Sequence, residues 1–169
     1  MRKSPACALV ATAVFAALAP TDAPSATRVE FEGFIHSCGG TDPEVVRLTP
    51  GGTLHLRRAT NANEWVTNNP ALDGPETNEV ISLNVNPKGH GNVTLHSTLR
   101  PLAFNGTWDI TVKVTITEDG LVAHGVGHGT GELHGMTVKF TVAPEVVVPN
   151  PCSEEGSLPV SGVVISPGS

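Results

Sequence analysis

Tyrosine is absent from this 169-residue chain, tryptophan occurs twice, and aromatic residues make up only 4% of the total. That scarcity argues against an aromatic platform for carbohydrate. Basic residues are also few: ten Lys and Arg face sixteen Asp and Glu, for a formal charge of −6. Such a surface repels phosphate backbones and no basic cluster offsets it, so nucleic-acid binding is disfavoured. The chain has no HExxH, no CxxC, no GxSxG elbow and no Walker lysine, and its glycines do not fit GxGxxG. No segment shows a convincing helical period. The one long apolar run, Ala6 to Ala19, is too short to span a bilayer as a stable helix.

That run has its own meaning. Arg2 and Lys3 form a basic start, and Pro20 to Ala26 is small and turn-prone. This is the tripartite layout of a secretory signal peptide, with cleavage expected after Ser25 or Ala26. The expected organisation is a signal peptide over 1–26 and a single domain over 27–169, secreted or periplasmic, with no membrane attachment after processing. Cys7 lies before or within the apolar run, which disfavours a lipoprotein. Only Cys38 and Cys152 survive processing, and an oxidising compartment makes one disulfide their first reading. It would close a loop of over a hundred residues, contributing up to ~4–5 kcal/mol if unstrained.

What is present is strand alternation. Trp108, Ile110, Val112, Val114 and Ile116 alternate with polar residues, giving one dry and one wet face. A turn at Glu118 to Gly120 follows. Met136, Val138, Phe140 and Val142 repeat the pattern, and weaker versions occupy Val29 to Ile35, Thr53 to Arg58, Glu79 to Val85, Val93 to Leu99 and Pro159 to Ile165. With a partner strand from Leu121, the count is about eight, at the spacing of a sandwich or barrel. Two stretches read as irregular: Ala59 to Glu76, with Trp65 in its middle, and the Pro-rich Pro144 to Pro159. A Cys38–Cys152 bridge would staple the seam between first and last strands of a closed barrel.

The segment Leu121 to Met136, LVAHGVGHGTGELHGM, is the richest in possible chemistry. As a strand it puts Leu121, Ala123, Gly125, Gly127 and Gly129 on one face and Val122, His124, Val126 and His128 on the other. Strand glycines mark a bend, a bulge or a close approach. If the glycine face looks inward it leaves room for a ligand. If it looks outward, His124 and His128 enter the interior as acid–base groups. A third reading is a strongly coiled strand with both histidines in solvent. Trp108, His124, Gly125, Gly127 and His128 are the candidate ligand-binding residues. A metal site is not expected: zinc needs three or four converging ligands, and residues four apart on a strand are separated by about 13 Å. No cofactor is implied. Glu30 and Glu32 share a strand face and read as solvated charges. Asn92 to Thr94 and Asn105 to Thr107 are glycosylation sequons.

The stretch Gly127 to Phe140, GHGTGELHGMTVKF, resembles the strand–turn–strand signature of the allene oxide cyclase and dirigent-type β-barrels. Gly106 to Asp109 and the final strand Ser161 to Ser166 are similar to small exported bacterial proteins of that kind. The resemblance implies an eight-stranded antiparallel barrel with an apolar central cavity. It also implies binding of hydrophobic or reactive small molecules, in some members with steering of cyclisation or coupling. Leu133 stands where the signature has an aromatic, and no catalytic residue of those enzymes maps onto a position here.

Three functions compete on this reading. The leading one is an exported barrel that holds a small hydrophobic molecule in its lumen. The second is a cyclase or isomerase acting by confinement, which needs few polar groups. The third is a non-catalytic interaction module whose loops, Ala59 to Glu76 above all, contact another protein.

Overall fold

The computed structural model describes residues 25–43, 45–144, 150–152 and 157–168. The expected signal segment, save Ser25 and Ala26, lies outside them. The strands are β1 (Thr27–Thr41), β2 (Val45–Leu48), β3 (Leu54–Arg57), β4 (Thr60–Thr67), β5 (Gly74–Val85), β6 (Gly91–Leu99), β7 (Trp108–Thr117), β8 (Gly120–Gly129), β9 (Thr137–Val142) and β10 (Ser157–Ser166). One turn of 3₁₀ helix, Gly131–Leu133, is the only helical element among the described residues.

Eight strands form a closed antiparallel barrel. The order is β1-β4-β5-β6-β7-β8-β9-β10, closed by antiparallel pairing of β10 with β1 from Thr27↔Ser166 to His36↔Ser157. The short hairpin β2–β3 extends the wall beside β5, pairing through Leu54↔Val85 and Leu56↔Leu83. Strands β3 and β4 are nearly one run, broken at Arg58, whose φ of 59° is rare for a non-glycine residue. The break faces a bulge in β5 between Val80 and Ser82.

Alternation decides the inside. On β7, Trp108, Ile110 and Val112 are buried while Asp109, Thr111 and Lys113 are exposed; on β9, Val138, Phe140 and Val142 are buried. At one end, the loops after β4 and β8 carry Leu72 and Leu133 into the core, both fully buried beside Trp65 and Trp108. The Trp108 indole donates to the Ala71 carbonyl at 2.7 Å and fixes the first of these loops. This end is plugged. The β5–β6 turn, the β7–β8 turn and the β9–β10 connection lie at the other end.

The Cys38–Cys152 disulfide sits at that second end, with Cα atoms 4.6 Å apart. It ties the end of β1 to the connection preceding β10, so the bridge does staple the seam. Asn150 Nδ2 adds a hydrogen bond to the Ser37 carbonyl at 3.0 Å.

Ala59 to Glu76 is not the irregular loop expected. It contains all of β4 and the start of β5, and only residues 68–73 form a turn. Polar residues on the inward face of β4 hid its alternation. The hairpin strand β2 also escaped the sequence reading.

Candidate functional site

The barrel interior holds a partly open cavity of about 270 Å³. All eight barrel strands contribute to its lining, which identifies it as the lumen. Its two sides differ in character. Leu95 on β6, Val112 and Val114 on β7, Leu121 and Ala123 on β8, Phe140 and Val142 on β9 and Leu158 on β10 form an apolar wall. Facing it, Asn61 and Asn63 on β4, Glu76 and Asn78 on β5 and Ser97 on β6 form a polar strip.

Strand register builds that strip. Asn63 is the cross-strand partner of Glu76, Asn61 of Asn78, and Asn78 in turn of Ser97. Directly opposed inward side chains are close enough to bond. Asn61 Nδ2 donates to Asn78 Oδ1 at 3.0 Å. Asn63 Nδ2 and the Trp65 indole Nε1 both donate to Glu76 Oε2, at 2.7 and 3.0 Å. Two N–H donors on one oxygen suit a carboxylate. Glu76 and Asn78 are 4% and 5% exposed, and Ser97 is 1% exposed with an Oγ that has no hydrogen-bond partner. A buried hydroxyl left unpaired costs about 1–3 kcal/mol.

Trp65 closes the polar strip. Its ring meets Phe140 edge-on, with centroids 5.0 Å apart, so the two aromatics floor the cavity. No Lys, Arg or His lines the lumen among the described residues.

The five candidates from the sequence fall elsewhere. Gly125 and Gly127 do look inward, but their space is taken. A Cβ on Gly125 would lie 2.0 Å from Phe140 Cζ, and one on Gly127 would lie 2.7 Å from Ile110 Cγ1 and 2.8 Å from Val138 Cγ1. The glycines admit neighbouring side chains rather than a ligand. His124 and His128 point outward and are exposed, bonding Thr141 at 3.1 Å and Thr137 at 3.5 Å. Trp108 is core at the plugged end. None of the five lines the cavity.

Glu30 and Glu32 are exposed on the outer face of β1. Beside them an open surface depression of about 950 Å³ runs over β1 and β10, lined by Arg28, Glu30, Glu32 and Asn68 among others. It is larger than the lumen and somewhat more open, and it lacks buried polar groups. His36 and Ser157 make a buried pair on the outer side of the wall, with Nδ1 and Oγ 2.7 Å apart. Ser157 is fully buried, so no substrate reaches that hydroxyl and the pair fastens β1 to β10. The cluster Cys38, Glu64 and Cys152 gathers three potential ligand atoms, but both sulfurs are spent in the disulfide.

The signal missed was a lone tryptophan among asparagines. In Thr60–Thr67, inward Asn61, Asn63 and Trp65 alternate with outward Ala62, Glu64 and Val66. Comparison with protein-family models, with curated proteins and with solved structures gives no match to this chain.

Proposed function

We propose that this protein is an exported barrel that binds a small, largely apolar molecule in its lumen. The observation that carries the reading is the two-sided cavity, an apolar wall opposite a strip of buried polar groups. Ligand pockets combine these features: apolar lining supplies affinity and a few placed polar groups fix orientation. At about 270 Å³ the space equals that of about nine water molecules, so the ligand is small. The strip refines the sequence expectation of a hydrophobic ligand to an amphiphilic one. The resemblance of Gly127 to Phe140 to allene oxide cyclase and dirigent-type barrels supports the same use of the lumen. The Cys38–Cys152 disulfide supports an oxidising, secreted or periplasmic setting. No helix among the described residues is long and apolar enough to cross a membrane.

One observation favours a second reading, cyclisation or isomerisation by confinement. Glu76 supplies a carboxyl inside the cavity that can hold or move a proton. The interaction-module reading loses its main support, since most of Ala59 to Glu76 is barrel wall.

Native mass spectrometry on protein purified from its own host tests the binding reading. A co-purifying small molecule lost on denaturation is expected. A bare chain that also fails to take up any small amphiphile contradicts it.

A further inference from the structure

The lumen presents an acid without a base. Glu76 is the only ionisable group among the described residues that line the cavity. Its two protein donors, Asn63 and Trp65, both converge on Oε2, so Oε1 receives no hydrogen bond among the described residues. One strand away, the buried Ser97 Oγ also lacks a partner. Ser97 is paired across β5–β6 with Asn78, whose neighbour two residues along the inward face is Glu76. The unused Glu76 oxygen thus lies in the polar strip, opposite a wall without polar side chains.

A buried carboxylate is tolerated when it is paired with a cation. Among the described residues none lines the lumen, and a cationic ligand would supply the complementary charge. An ammonium group carries three N–H donors and no acceptor, matching a site rich in acceptors. A carboxylate or phosphate head would meet Glu76 as a like charge. A hydroxyl head brings a single donor and no charge.

We propose that the lumen is selective for small cationic amphiphiles, primary amines on a short apolar body. The ammonium sits against Glu76 Oε1 and the body lies against Val112, Ala123 and Val142. This rests on the lumen-binding reading and names the ligand class for that site. The ligand is bound unchanged, and no covalent step is involved.

The test titrates the folded, disulfide-bonded protein with hexylamine, 1-hexanol and hexanoate at one ionic strength. Binding is read by calorimetry and by the two indole N–H resonances. Hexylamine is expected to bind about ten- to hundredfold more tightly than hexanol, the span that a hydrogen bond to a charged group supplies. Hexanoate is expected to bind most weakly. The Trp65 indole resonance, bonded to Glu76, should move with hexylamine, while that of Trp108, bonded to the Ala71 carbonyl, should stay. Glu76→Gln retains an acceptor for Asn63 and Trp65 and should bring hexylamine to within about twofold of hexanol.

Equal affinity for amine and alcohol overturns the charge selectivity while leaving the lumen-binding reading standing. So does a preference that survives Glu76→Gln, or a Trp65 resonance that stays still on amine binding in the unsubstituted protein. Binding of none of the three overturns both.

Discussion

Trp65 donates its indole N–H to Glu76 Oε2 at 3.0 Å, across β4 and β5 and inside the barrel. The bond joins the largest side chain of the lumen floor to the only carboxyl that lines the lumen among the described residues. It couples packing to chemistry, because any change at the carboxyl is felt by the ring that meets Phe140 edge-on.

Removing that acceptor should cost more than altering its charge. Glu76→Ala strands the Trp65 and Asn63 donors, whereas Glu76→Gln keeps an oxygen in place. Each buried group left unpaired costs about 1–3 kcal/mol, so Glu76→Ala should unfold at clearly lower urea than Glu76→Gln. Equal midpoints would show that the Trp65–Glu76 bond contributes nothing to stability.

Ser97 predicts the opposite sign. Its Oγ is buried without a partner, so Ser97→Ala removes a desolvation penalty rather than a bond. Thermal unfolding of the ligand-free protein should be unchanged or stabilised by up to ~1 kcal/mol. A loss beyond that would mean the hydroxyl is already satisfied.

Gly125 should tolerate no side chain while Phe140 is present. The ring atoms Cζ, Cε1 and Cε2 would lie 2.0, 2.3 and 2.6 Å from an added Cβ. Gly125→Ala should destabilise by about 1–3 kcal/mol through overpacking. Combined with Phe140→Leu, its added cost should shrink, giving a coupling of about 0.5–3 kcal/mol in a double-mutant cycle. Additive effects would remove the contact from the account.

The disulfide should matter more than any surface group. Cys38 and Cys152 lie 114 residues apart in sequence, and their bridge joins the end of β1 to the connection before β10. Replacing both by Ser should cost about 2–5 kcal/mol in denaturant unfolding. Replacing the exposed His124 or His128 by Ala should stay within about 0.5 kcal/mol and leave ligand binding intact. A binding defect in either histidine variant would place the site on the outer face of β8 instead.

Much of the barrel was legible because its inward residues are apolar. Trp108, Ile110 and Val112 on β7 and Val138, Phe140 and Val142 on β9 alternate with polar neighbours, and burial follows that alternation. The pairing of the two late cysteines followed from compartment and count. The site was not legible for the complementary reason. On β4 and β5 the inward positions include Asn61, Asn63, Glu76 and Asn78, so a rule that equates inside with apolar reads them as turn and surface. The conspicuous glycines of β8 drew attention to the wall opposite, where Phe140, Ile110 and Val138 use the vacated space. Volume left by a glycine belongs to whichever neighbour can reach it, and that neighbour is fixed only by register.

The central claim is that a small amphiphile occupies the lumen. Intermolecular nuclear Overhauser effects between bound hexylamine and the protein's methyl groups test it most directly. The account predicts contacts from the alkyl chain to Val112, Ala123 and Val142, which line the cavity, and none to Val122 or Val126, which are exposed on the outer face of β8. Contacts confined to the outward valines, or no contact with any lumenal methyl at saturating hexylamine, would contradict it.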